Sequence, residues 1–247
     1  MNPTTPTELL DEISQMDSCF QKKFHLIRLC IDYDPMKYDL PMNLHVFHEF
    51  LRVYMVYRSN FRKKDDRILM FVQRFIAYGT SMRDQYHVNH SEYLLFLRLW
   101  MFLGILKSDN AMIRQVHLDL INYLDDHLLN TGMLRNAMEH DSLEYHISDL
   151  HRIIRLIRIL QSYGYFHFDY LRYKNNNGTS LLKSFGFLLP YLKGEKRHYL
   201  YLHTIFQHDR KSPRFGSLWD PVSAKPLLLS AVTLHKKIDE LLSLLPS

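Results

Sequence analysis

Leu143, Ile147, Leu150, Ile154 and Ile157 recur three and four residues apart. That spacing gathers side chains on one face of an α-helix and would scatter them over both faces of a strand. The same stretch carries Arg152, Arg155 and Arg158 off the apolar seam, as an amphipathic helix requires. A second seam, Ile113, Val116, Leu120, Leu124 and Leu128, precedes it. Helical spacing extends over residues 9–16, 21–31, 43–58, 65–78, 91–107, 179–192 and 221–244. Glycine, which sandwiches and barrels need for their many turns, occurs only 8 times. The pattern therefore predicts an all-α chain, one domain over residues 1–247 built from stacked helical hairpins.

The breaks carry turn chemistry. Tyr33–Pro41, Ser108–Asn110, Asn130–Gly132 and Asn175–Gly178 are rich in Asp, Asn, Gly and Pro. Ser180 is placed to cap the helix that follows the last of these, and Asp220-Pro221 offers an N-cap with proline at the first helical position. Residues 211–219 read as irregular.

With 247 residues the chain has enough length for a core that needs no covalent staple. Cys19 and Cys30 have no metal-binding spacing and read as small core residues. The polar start shows no signal peptide, and the apolar run at 93–106 is too short to span a membrane and holds Arg98. The expected location is cytoplasmic, or periplasmic or secreted if a signal has been trimmed. A formal charge of +5, with 15 histidines besides, suits an anionic partner: nucleic acid, a membrane surface or an acidic polysaccharide.

Two segments could carry chemistry. Asn89 and His90 stand where a loop meets the start of an apolar helix, an end that favours anions through its free backbone N–H groups. Tyr145 and His146 lie in the first turn of the helix with the isoleucine seam. A tyrosine among basic groups is expected to ionise below its usual value of about 10 and to serve as acid or base. The i, i+3 pairs His45/His48 and His87/His90 do not make a zinc signature, and no His-Glu-x-x-His run occurs, so no metal is expected.

Taken in order, these segments resemble the alginate lyase family of polysaccharide lyases. They are Val88-Asn89-His90-Ser91, Thr131–Leu134, Asp141–His146, Gly178–Leu181, Phe187–Tyr191, Gly194–His198 and Trp219-Asp220-Pro221, within residues 85–230. The resemblance implies an α/α toroid, here short and incomplete, and β-elimination on a uronate polymer without metal or organic cofactor. It implies that Asn89 binds the uronate carboxylate and that His90 neutralises it or takes the C5 proton. Tyr145 would then protonate the leaving oxygen at C4. Arg135, His140, His146, Lys196 and His198 are the expected substrate contacts, and an acidic poly- or oligosaccharide is the expected partner ahead of nucleic acid. Where the family places an arginine shortly before the Tyr-His pair, this chain has Met138, Glu139 and His140.

Two other readings stay open. Arg135 and His140 fit the Arg-x4–6-His motif of HEPN ribonucleases, helical proteins in which both residues face a two-fold interface. The third is a helical carbohydrate-binding or interaction module without chemistry. A lyase needs Asn89, His90 and Tyr145 in one basic groove. A HEPN nuclease needs Arg135 and His140 exposed.

Overall fold

The computed structural model describes residues 33–38, 42–43, 46–47, 50, 66–83, 92–165 and 167–245. Among them the regular structure is helical, with two isolated β-bridges, so the all-α reading holds. The helices expected at 9–16 and 21–31, most of that at 43–58, and Cys19 and Cys30 lie outside the described residues. The chain divides into two compact units: Met1–His87 with Leu95–Ile113, and Val88–Leu94 with Arg114–Ser247.

In the first unit, α1 (Asp66–Arg83) and most of α2 (Tyr93–Lys107) carry large apolar side chains. Phe47, Phe50, Phe71 and Phe75 are fully buried and their rings pack on one another, stacked, tilted and edge-on, at centroid distances of 4.7–6.2 Å. Spacing alone ended α1 near Gly79, yet the helix continues through it to Arg83. A Cβ at Gly79 would meet the Trp100 ring at 2.7 Å. This glycine serves close helix approach, not termination.

The second unit is organised by most of α3 (Asn110–His127), with α4 (Arg135–Glu139), α5 (Leu143–Leu160) and α6 (Leu181–Leu192). The α5 seam is buried as the spacing requires, and Arg155 and Arg158 are exposed. Ser142 caps α5 by accepting from Glu144 N at 3.2 Å. Ser180 caps α6 by accepting from Lys183 N at 3.4 Å.

The Asn175–Gly178 loop does more than turn. The Asn175 amide is buried and donates to the carbonyls of Leu124 and Leu128 at 3.0 and 2.6 Å, which ties the loop to the end of α3. Its Oδ1 accepts from Asn177 N and Thr179 N, which closes the loop.

The helix expected over 221–244 is broken. Asp220 caps a 3-10 turn, Pro221–Ala224, which leads into α8 (Lys225–Ala231), and α9 (Lys236–Leu242) follows. The short α7 (Gln207–Arg210) precedes them. His235 is extended between α8 and α9. Arg158 donates to the Ser230 carbonyl at 3.3 Å. Among the described residues no helix is long and apolar enough to cross a membrane.

Candidate functional site

Between α6 and α8 the chain forms an irregular lobe, residues 193–220. It is folded back on itself by the Tyr199–Leu218 bridge and by Leu200 N→Ser217 O at 2.9 Å and Trp219 N→His198 O at 2.8 Å. Between Lys193 and Arg214 it carries Lys193, Lys196, Arg197, Arg210, Lys211 and Arg214 against Glu195 and Asp209. All six cations are exposed, as are the rings of Tyr199 and Phe215.

The lobe is tied to the corner between α4 and α5. Tyr201 N donates to Asp141 O at 2.9 Å, and His203 N donates to the Asp141 carboxylate at 2.8 Å. Ile205 N donates to Glu139 O at 3.3 Å. Arg214 pairs with Glu144, which also accepts from the Tyr201 hydroxyl at 3.3 Å. Asp141 and Tyr201 both take positive φ, +47° and +67°. A short polar side chain tolerates that region, whereas a tyrosine there is strained and persists only because its surroundings hold it. Two such residues joined by a backbone hydrogen bond mark this corner as constrained geometry.

At the centre lies Asp209, 4% exposed on α7. Its Oδ2 faces His140 Nδ1 at 2.5 Å and accepts from the Thr204 hydroxyl at 2.7 Å. Its Oδ1 accepts from the Tyr145 hydroxyl at 3.4 Å and lies 3.3 Å from His208 Nε2. The His140 ring is sandwiched between Tyr145, with centroids 3.8 Å apart and planes 11° apart, and Phe206, at 4.1 Å and 19°. A carboxylate held against Nδ1 favours the proton there, which leaves Nε2 with the lone pair. Nε2 has no hydrogen-bond partner among the described residues. The arrangement is an Asp–His pair with a tyrosine hydroxyl on the other carboxylate oxygen.

The tyrosine was expected to ionise readily, and the structure reverses this. Burial pushes the Tyr145 hydroxyl up to about 12, and the Asp209 carboxylate adds to the rise because a second negative charge beside it is disfavoured. The basic side chains are on the lobe, and the group that meets Tyr145 is an acid. Tyr145 is thus a proton donor whose conjugate base is strong.

The remaining residues separate. Asn89 and His90 lie outside the described residues. His146 is fully enclosed: its Nδ1 accepts from Leu134 N at 3.2 Å, and its Nε2 faces Ser184 O at 3.4 Å. Burial lowers its pKa to about 4. It is a strut between the start of α5 and α6 and has no surface to offer a substrate. Arg135 is exposed and donates to Asp126 O at 3.0 Å. His140 is 8% exposed and is engaged by Asp209 through Nδ1. Lys196 is exposed on the lobe. His198 is half-buried and donates through Nε2 to Asp141 O at 3.2 Å; burial lowers its pKa against the opposing charge of Asp141.

Asp209 and Thr204 were not legible as site residues, since Asp209 stands 69 positions from His140 and in no motif with it. The one usable signal was the density of histidine and charge in His208-Asp209-Arg210. No protein-family profile, curated protein or solved structure matches the chain.

Proposed function

We propose that the chain is a polysaccharide lyase-like protein that binds an acidic, uronate-containing polysaccharide and cleaves it by β-elimination. The observation that carries the reading is the meeting of Tyr145 and His140 on one buried carboxylate, that of Asp209, within a basic lobe that exposes aromatic rings.

β-Elimination needs three things: neutralisation of the carboxylate on C6, a base for the C5 proton and an acid for the oxygen leaving C4. In this reading the lobe cations attract the polyanion, and Tyr199 and Phe215 offer flat apolar faces to sugar rings. Asn89 and His90, from the resemblance, neutralise the carboxylate. His140 Nε2 takes the C5 proton while Asp209 holds the ring in its tautomer and stabilises the imidazolium. The electron pair of the C5–H bond forms the C4=C5 double bond, the C4–O bond breaks, and Tyr145 delivers its proton to the departing oxygen. A hydroxyl with a pKa of about 12 is well matched to an alkoxide. His140 then releases its proton and Tyr145 regains one from solvent.

The test is to incubate the protein with alginate, polyglucuronate, pectate and glycosaminoglycans and follow the ultraviolet absorbance of the unsaturated uronate. A rise on one polymer class supports cleavage and identifies the substrate. A flat trace on every polymer together with retained binding to one of them assigns the chain to the non-catalytic carbohydrate-binding reading. A flat trace without binding removes the carbohydrate reading altogether.

A further inference from the structure

Asp209 carries a second histidine that the elimination does not use. His208 Nε2 stands 3.3 Å from Oδ1, and His140 Nδ1 stands 2.5 Å from Oδ2, so the two imidazoles flank one carboxylate. One ligand atom from each of the three residues lies within 4.8 Å of the others. Two imidazole nitrogens and a carboxylate are a donor set for zinc and its transition-metal neighbours, whereas calcium and magnesium require a shell of oxygens.

The surroundings add what a ligand set needs. The Thr204 hydroxyl donates to Asp209 at 2.7 Å, the outer hydrogen bond that fixes a ligating carboxylate. The His140 ring is immobilised by stacking on both faces. His208 is 66% exposed, so the cluster is reachable from solvent on one side and walled on the other.

We propose that His140, His208 and Asp209 form a binding site for a zinc-class divalent transition-metal ion. Three protein ligands leave a coordination position for water. Binding requires the His140 Nδ1 lone pair, so the ring carries its one proton on Nε2 and keeps no lone pair to accept another. Metal binding and proton abstraction by His140 are therefore mutually exclusive states of the same residues. The metal site itself does not rest on the lyase reading.

The experiment uses the full chain freed of metal by chelation, titrated with Zn2+ against a chromogenic competitor, with Mg2+ in parallel. One Zn2+ per chain is expected, with no response to Mg2+. His208→Ala, an exposed position whose loss leaves the core intact, is expected to weaken Zn2+ at least about 10-fold, and Asp209→Asn further. His203→Ala, on the same lobe outside the cluster, is expected to bind as wild type does. Absence of stoichiometric Zn2+ binding overturns the proposal, and so does binding undiminished in His208→Ala. Because the readout contains no polymer, its failure is distinct from failure of the lyase assay. If the polymer is cleaved, saturating Zn2+ is expected to suppress cleavage in wild type and to do so less in His208→Ala.

Discussion

His140 and Asp209, 69 residues apart in the chain, meet at 2.5 Å with both side chains almost wholly enclosed. Apolar packing alone would not place an imidazole and a carboxylate there, because an unpaired charge in such a position is costly. The pair is tolerated because it is satisfied: Thr204, Tyr145 and His208 occupy the carboxylate's other directions. This contact also fastens α7 and the lobe to the corner preceding α5.

Asp209→Asn is therefore expected to lower stability as well as function. It preserves volume but removes the charge facing His140 Nδ1 and places an N–H₂ among groups that donate. Hydrogen bonds to a charged acceptor are worth about 1.5–3 kcal/mol, and a loss of that size is expected in urea denaturation. Unchanged stability would contradict the central place given to this carboxylate.

Two buried groups on α5 give opposed pH responses. Burial raises Asp149 from 3.8 to about 6, with Asn136 and Arg152 partly offsetting the rise. Between those values the folded state binds a proton that the unfolded state does not, so Asp149 adds stability as pH falls. His146 is lowered from 6.5 to about 4, so there the unfolded state binds the extra proton and stability is lost as pH falls. Asp149→Asn removes the first response. The variant is expected to lose ground to wild type on acidification from about pH 7 to about pH 4.5, by about 2 kcal/mol over that range. Urea midpoints measured across that range check it. A stability difference independent of pH would show that Asp149 is not raised in the folded protein.

Gly132 lies in the loop leaving α3 with φ +92°, and a Cβ there would stand 2.8 Å from the Lys183 carbonyl oxygen. Gly164 has φ +108° but open space around it. Both alanine substitutions impose the backbone penalty, about 1 kcal/mol or more. Gly132→Ala must also displace the start of α6, and is expected to cost about 1–3 kcal/mol beyond Gly164→Ala. Thermal unfolding of the two variants side by side decides it, and equal losses would mean that α6 yields freely.

What could be read in the sequence was what depends on near neighbours. The α5 seam, the Ser180 position before its helix and the Asp220-Pro221 turn follow from spacing and caps, and spacing placed α2 and α6 within two residues of their observed ends. The errors arose where a distant residue decides. Gly79 reads as a stop until Trp100 is seen against it. The run 221–244 reads as one helix, whereas the backbone is extended at His235 and the Ser230 carbonyl accepts from Arg158. The site divides the same way. Tyr145 was found from its motif, but its acidity was given the wrong sign, because the carboxylate beside it comes from residue 209. His146, equally prominent in the motif, is a buried strut.

The most direct test of the account is the Tyr145→Phe protein on whichever uronate polymer the wild type cleaves, with polymer binding measured alongside. The substitution keeps the ring stacked on His140 and removes only a hydroxyl whose hydrogen bond is long, so folding and binding are expected to persist. Formation of unsaturated uronate is expected to fall by about 10²–10⁴-fold, the contribution of a positioned proton donor. Cleavage by Tyr145→Phe at the wild-type rate would contradict the assignment of Tyr145 as the acid, and with it the chemistry proposed for this site.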